Sequence, residues 1–300
     1  MVRYHPIRFR IWYMAVTRGG TPKARALGAE LREAREASGQ SLRAVARKLE
    51  TNHVKLGRYE SGSQVPASTF VAVYLAECGV PAAERDRIVE MAKDADQPDW
   101  LTTGRNGSRH ELTTLIEFER TATAISEVAT DLVPGLLQTS AYARALMVEM
   151  SDQERETRVL MRVGRREVLT DKGTPFAAII SERALSEPIG GHTVMAEQLR
   201  HILDMSERPN VSVQVLRAGS TVAHPAHMGA FVHFQFPKAS PIVHFEHYQS
   251  ATFLHNPTTA QDYAEAVTTL QELAMSEDES RKFIANQAEE MEATDDGTPP

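Results

Sequence analysis

From Pro22 to about Ala95 the apolar residues recur at intervals of three and four, the spacing of one helix face. Breaks fall at Ser38-Gly39, Glu50-Thr51-Asn52, Ser61 to Pro66 and Gly79-Val80-Pro81, which predicts an all-α domain of five helices over residues 21–95. Residues 96–110 carry Pro and Gly but no periodic apolar pattern, and are expected to be a linker. Helical spacing returns over Glu111–Ala129, Ser140–Met150 (with Ser140 as N-cap) and Gln153–Leu169. The pattern then changes to short β-branched or aromatic runs at Phe176–Ser181, Val211–Arg217, Ala230–Phe236 and Ile242–Phe245, which predict strands. Pro237 to Pro241 would join the last two as a hairpin, and helices are expected at Val194–Met205 and Thr258–Met275. The expected fold class is therefore an N-terminal all-α five-helix domain followed by a mixed α+β domain (111–275) with a small, mostly antiparallel sheet. Residues 1–20 lack a pattern and are expected to be a flexible basic arm, with Met14 an alternative start; 276–300 are expected to be a solvated acidic tail.

Composition adds three constraints. The chain has 300 residues, 42% hydrophobic and 24% charged, which suits two globular domains. Its one cysteine, Cys78, excludes an intrachain disulfide and a Cys-based zinc site and fits a reducing cytoplasm. The longest apolar run, Phe70 to Ala76, is far short of the roughly 20 residues that span a bilayer, so neither a membrane span nor a signal peptide is expected. The net charge of −7 is unevenly divided. Residues 1–65 hold 13 of the 33 Lys/Arg and 5 of the 40 acids, a balance of +8, which leaves −15 for the rest. A basic head on an acidic body points to a polyanion as the partner of the head.

Within the head, residues 41–62 carry a specific arrangement. Ser41 is a good N-cap, and Leu42, Val45, Ala46 and Leu49 form one apolar face. Asn52 caps the next helix, in which Leu56 and Tyr59 point inward and His53, Lys55 and Arg58 lie outside; Gly62 ends it. Two short helices joined by a tight turn, the second with a polar and basic outer face, suit the major groove of duplex DNA. The stretch from Leu27 to Ala95 resembles the Cro/repressor-type helix-turn-helix regulators of the xenobiotic-response-element family. Leu27-Gly28, Leu31-Arg32 and Arg35 match its first helix, and Arg58-Tyr59-Glu60 with Gly62 and Pro66 match the end of its recognition helix. The resemblance implies a homodimer on a double-stranded, pseudo-palindromic operator, and a cytoplasmic, nucleoid-associated protein. His53, Lys55 and Arg58 are candidates for base edges, Asn52 is mainly a cap that could reach a base, and Arg43 and Arg47 are phosphate candidates. Three positions depart from the family. Glu50 stands where Gly is usual, at a cost of about 1 kcal/mol if left-handed; Leu42 replaces a frequent Gln; and Gly57 lies inside the recognition helix.

In the body, Pro134-Gly135 makes a turn, with Leu136 and Leu137 as anchors and Gln138-Thr139 leading into a helix. From the residues alone an anchored loop is the simpler reading, ahead of a binding loop. Val133 to Thr139 followed by Ala141 to Leu146 resembles a domain of unknown function behind helix-turn-helix modules in actinobacterial regulators of the WhiJ type, some of them antitoxin-like. Arg162 to Leu169, Glu182-Arg183-Ala184-Leu185, Gln198-Leu199, Val213 to Leu216 and Gly229 to Phe231 fit its pattern. The resemblance implies a sensing domain, with a small BldB-like protein as a possible partner, and no catalytic residue. The effector surface is expected at Pro134, Gly135, Leu136, Leu137, Gln138 and Thr139, together with the turn of His224 and His227. Eight of the 11 histidines lie between His192 and His255, which leaves a metal-dependent enzyme tethered to DNA as the alternative. Against it, His244 and His247 would point to opposite faces of a strand, Pro225 disfavours a helix at 224–227, and His233 reads as a residue of a wetter sheet face. No cofactor motif or catalytic signature is present, so no cofactor, no metal and no enzymatic activity are expected.

Overall fold

The structure, a computed structural model, describes residues 20–93, 95–96, 100–147, 150–237, 239–248 and 250–295. The expectations for the basic arm and for Met14 as a start therefore lie outside the described residues.

The N-terminal part consists of α1 (Pro22–Ala37), α2 (Leu42–Lys48), α3 (His53–Glu60), α4 (Ser68–Glu77) and α5 (Ala82–Met91). Thr21 caps α1 by accepting the Ala24 N–H, and Pro22 occupies the first turn, where its missing donor is not needed. Leu27, Leu31, Val45, Leu56, Val71, Tyr74, Leu75 and Ile88 fill one core. Two glycines let the backbone close on itself. A Cβ on Gly28 would lie 2.6 Å from the Tyr59 carbonyl oxygen, so α1 crosses the end of α3 at backbone distance. Gly62 has φ +68°, and a Cβ there would lie 2.5 Å from the Arg25 Cα.

The second part is mixed α and β, the expected class. It runs β1 (Trp100–Thr103), α6 (Gly104–Thr121), β2 (Ala124–Ala129), α7 (Ser140–Ala145), α8 (Asp152–Gly164), α9 (Glu167–Thr170), β3 (Phe176–Ser181), α10 (Glu182–Ser186), α11 (His192–Ser206), β4 (Val211–Leu216), β5 (Phe231–Gln235), β6 (Ile242–His247), β7 (Ser250–Leu254), α12 (Pro257–Leu273) and α13 (Glu277–Asp295). Among the described residues the sheet has seven strands in the order β1-β7-β6-β5-β2-β3-β4. β2, β3 and β4 are parallel, and the other pairings, including the expected β5–β6 hairpin, are antiparallel. One face packs against α6, α11 and α13 through Phe118, Phe234, Phe253, Leu199, Ile202 and Ile284. The other packs against α12 through Val128, Ile179, Phe231, Val243, Val267 and Leu270.

Four local expectations are corrected. Residues 124–129 are not the end of a helix; they form β2, which pairs with β5 on one side and β3 on the other. The expected linker contains β1, paired with β7, and the start of α6. Gln153–Leu169 is two helices, α8 and α9. The expected acidic tail folds as α13, with Ile284, Ala288 and Met291 buried at a spacing of four and three. Its acids from Glu277 to Glu292 are exposed, and Glu292 pairs with Arg200 of α11 at 3.0 Å. The charge run masked an amphipathic stripe.

Candidate nucleic-acid interface

α2 and α3 form the expected helix-turn-helix. Ser41 accepts the Ala44 N–H at 3.2 Å, and Asn52 accepts the Val54 N–H at 2.7 Å. Between them Glu50 has φ +47°, alone among the described non-glycine residues in the left-handed region. Leu56 and Tyr59 are buried, while Asn52, His53, Lys55 and Arg58 are exposed, as are Arg43 and Arg47 on α2. Lys48 is engaged by Glu77 at 2.6 Å, but Arg43, Arg47, Lys55 and Arg58 have no carboxylate partner among the described residues. Lys55 lies 5.7 Å from the Tyr59 ring centroid. Val54, which the sequence pattern did not single out, is an apolar residue 51% exposed beside these cations.

The inner end of α3 is tied down. Glu60 is 5% exposed, and Arg35 donates to both its carboxylate oxygens at 2.8 and 2.9 Å. The Tyr74 hydroxyl donates to Oε1 at 2.5 Å, and burial pushes that hydroxyl well above the ordinary tyrosine value. Arg32 donates to the Glu60 carbonyl at 2.9 Å. The same Arg32 reaches Glu117 of α6 at 2.7 Å with its other terminal nitrogen. One guanidinium thus bridges the recognition helix and the second domain. Arg25 completes the junction. Its guanidinium carbon lies 3.7 Å from the Phe236 ring centroid and 4.5 Å from that of Phe118, and it donates to Thr121 at 3.3 Å. Burial pushes Arg25 down to about 10, against the pull of Glu117. Arg25 was legible in the sequence only as part of a basic surplus, and Arg32 as part of the first-helix match.

The Pro134–Thr139 segment faces inward. Pro134, Leu136, Leu137 and Gln138 are buried, and Gly135 and Thr139 are half-buried. Gln138 donates to the Val133 carbonyl at 2.8 Å and accepts from Arg162 at 3.1 Å. Gln198 of α11, itself buried, clasps the turn, donating to the Leu137 carbonyl at 2.8 Å and accepting the Thr139 N–H at 2.7 Å. Thr139, not Ser140, caps α7. The geometry is that of an anchored loop, the simpler of the two readings of this segment. Next to it the buried pair Arg165–Glu119 closes at 2.6 Å. Burial pushes the neighbouring Glu127 up to about 7, against Arg165 and an N–H from Gly135.

The histidines are dispersed. Pro225 does not prevent a helical turn; it begins a short 3₁₀ turn over Pro225–Met228, because a first position needs no N–H. His227 accepts the His224 N–H at 3.0 Å, and the two rings stack at 3.7 Å. Burial, and His227 beside it, push His224 down. His233 is buried beneath α12, not on a wetter face. His244 is buried against Phe253 at 4.6 Å, whereas His247 is exposed. Among the described residues no three His, Cys, Asp or Glu side chains are grouped to hold a metal ion, and no helix is long and apolar enough to cross a membrane.

Comparison with known proteins divides the chain at the same junction. Residues 26–88 match a family described as a helix-turn-helix domain, which supports a DNA-binding regulator. No curated protein matches it. Among solved structures it is similar to TrmBL2, described as an archaeal chromatin protein with a novel mode of DNA binding, at 10% identity and a TM-score of 0.31. That alignment covers 65% of this chain and 60% of the archaeal one, so the chain spans less than two thirds of that protein. Residues 112–286, more than half of the chain, match the domain of unknown function DUF5753, and the chain belongs to that family.

Proposed function

We propose that the chain is a sequence-specific transcriptional regulator that binds a two-fold-symmetric operator as a homodimer, and that its second domain sets operator affinity by binding a small ligand or a small partner protein. The observation that carries the first part is the set of exposed cations on α2 and α3 without carboxylate partners among the described residues, namely Arg43, Arg47, Lys55 and Arg58. Lys55, Arg58 and His53 read base edges, Asn52 adds its free amide, and Arg43 and Arg47 hold phosphates. The bridge from Glu117 through Arg32 to the end of α3 supports the second part, because a shift of α6 is felt where the recognition helix is seated. A ligand changes operator affinity only by its differential affinity for the free and DNA-bound states.

The test is a titration of full-length protein on an operator selected from random duplexes. Arg58→Ala is expected to weaken the selected site by about 1–3 kcal/mol relative to random DNA. Arg43→Ala is expected to weaken both alike and to lower the salt slope by about one. Equal loss on selected and random duplexes for Arg58→Ala would remove base reading from that residue. Absence of any salt-dependent binding would overturn the whole reading.

A further inference from the structure

On the sheet face covered by α12, the helix leaves the ends of β5 and β6 open, and a groove of about 290 Å³ lies there. Three aromatic rings wall it. Phe231 and Phe245 lie on adjacent antiparallel strands, one step beyond the pair Val232↔His244. Tyr263 of α12 stands nearly perpendicular to both, at 4.8 Å and 70° from Phe231 and at 5.3 Å and 72° from Phe245. The opposite lip is the turn that ends in Met228 and Gly229, and Met228 is 88% exposed. Asp262 is the charged residue of the lining, which contains no Lys or Arg. It is exposed and has no cationic partner among the described residues. Burial, and then Asp262 itself, push the Tyr263 hydroxyl above its ordinary value, so the ring stays a neutral phenol at physiological pH.

We infer that this groove is a binding site for a small organic cation bearing alkyl groups on nitrogen, a quaternary or highly alkylated ammonium. Aromatic faces are the negative side of the ring quadrupole and attract a desolvated cation. The Met228 thioether is polarizable and adapts to alkyl substituents. Asp262 at the mouth adds the matching charge, and an anion would meet a carboxylate with no cation to offset it. The volume lies at the lower end of ligand pockets, which favours a headgroup-sized ligand. The regulatory consequence, though not the binding itself, rests on the sensing role proposed above. Phe231 opens β5, and Phe236, just past the end of that strand, carries the Arg25 guanidinium at the junction between the domains.

The experiment compares choline with its neutral analogue, in which a quaternary carbon replaces the nitrogen, by calorimetric or NMR titration of the full chain. Choline is expected to saturate with a dissociation constant on the order of 1 mM or tighter, and to bind roughly tenfold more tightly than the neutral analogue. Asp262→Asn, at an exposed position, is expected to reduce choline affinity several-fold with no change in melting temperature. Phe245→Leu is expected to reduce it further. Equal affinity for the two probes, or for wild type and Asp262→Asn, overturns the cation site. Where Phe245→Leu does not fold, the Asp262 arm decides alone. Operator titrations with and without saturating choline separate the two ideas. Binding of choline with unchanged operator affinity upholds the site and removes it from the proposed sensing, whereas absence of choline binding with intact operator binding overturns the site and leaves the DNA-binding reading standing.

Discussion

Glu50 is the residue at which local chemistry and fold disagree most plainly. The sequence marks it as a stand-in for glycine, and the chain does turn left-handed there. Such features were readable because caps and turns depend on a few adjacent residues: Ser41 and Asn52 hold the N–H groups expected of them. Gly57 is different. Among the described residues, a Cβ there would meet only the Leu42 Cδ2, at an ordinary 3.6 Å. Gly57→Ala is therefore expected to stabilise the chain by about 0.5–1 kcal/mol in denaturant unfolding. If operator affinity drops in that variant although stability rises, the bare backbone at 57 serves close approach to DNA. Histidine burial could not be read in the same way, since His233 is enclosed by α12, which lies far along the chain. Glu127 gives a pH signature. Its folded state keeps a proton up to about pH 7, where an ordinary glutamate releases it near 4.5. The folded form then binds more protons than the unfolded form across that interval, so stability falls as pH rises from about 4.5 to about 7. Melting curves across this range should show a flatter profile for Glu127→Gln than for wild type.

Elements were legible where their periodicity was self-contained and lost where pairing decides. The helices around Leu27, Val45 and Leu56 and the strands β3 to β6 carry their own patterns. β2 does not: Ala122-Thr123-Ala124 continues plausibly from a helix, and becomes strand because β5 and β3 supply hydrogen bonds on both sides. β1 likewise exists through β7. α13 was hidden for another reason, its acids drawing the eye from Ile284, Ala288 and Met291. That helix packs against α11 and β4 and is part of the core. Met291→Ala is expected to cost about 2–4 kcal/mol, and a chain ending at residue 286 should melt several degrees lower still. An unchanged melting temperature after that truncation would return the segment to the role of a solvated tail.

At the scale of the whole molecule, the basic surplus of the N-terminal region has two uses. Arg43, Arg47, Lys55 and Arg58 face outward, whereas Arg25 and Arg32 are spent on the junction with α6. Charge counting along the sequence could not separate them, because both sets are basic residues on helices. The junction predicts thermal behaviour. Wild type should unfold in one calorimetric transition, and the double variant Arg25→Ala, Glu117→Ala should resolve into two, since it removes the ring stacking and the bridging ion pair together. A single transition in the double variant would show that other contacts couple the domains. The way α3 is held also bears on how such a chain diversifies. Its position is set by backbone contact at Gly28 and by the inward carboxylate of Glu60, and by no side chain on its outer surface. Residues 53, 54, 55 and 58 can therefore be exchanged without moving the helix. Under the proposed reading, operator preference is a replaceable label on a fixed mount, and libraries randomised at those four positions should yield folded proteins with new target sequences.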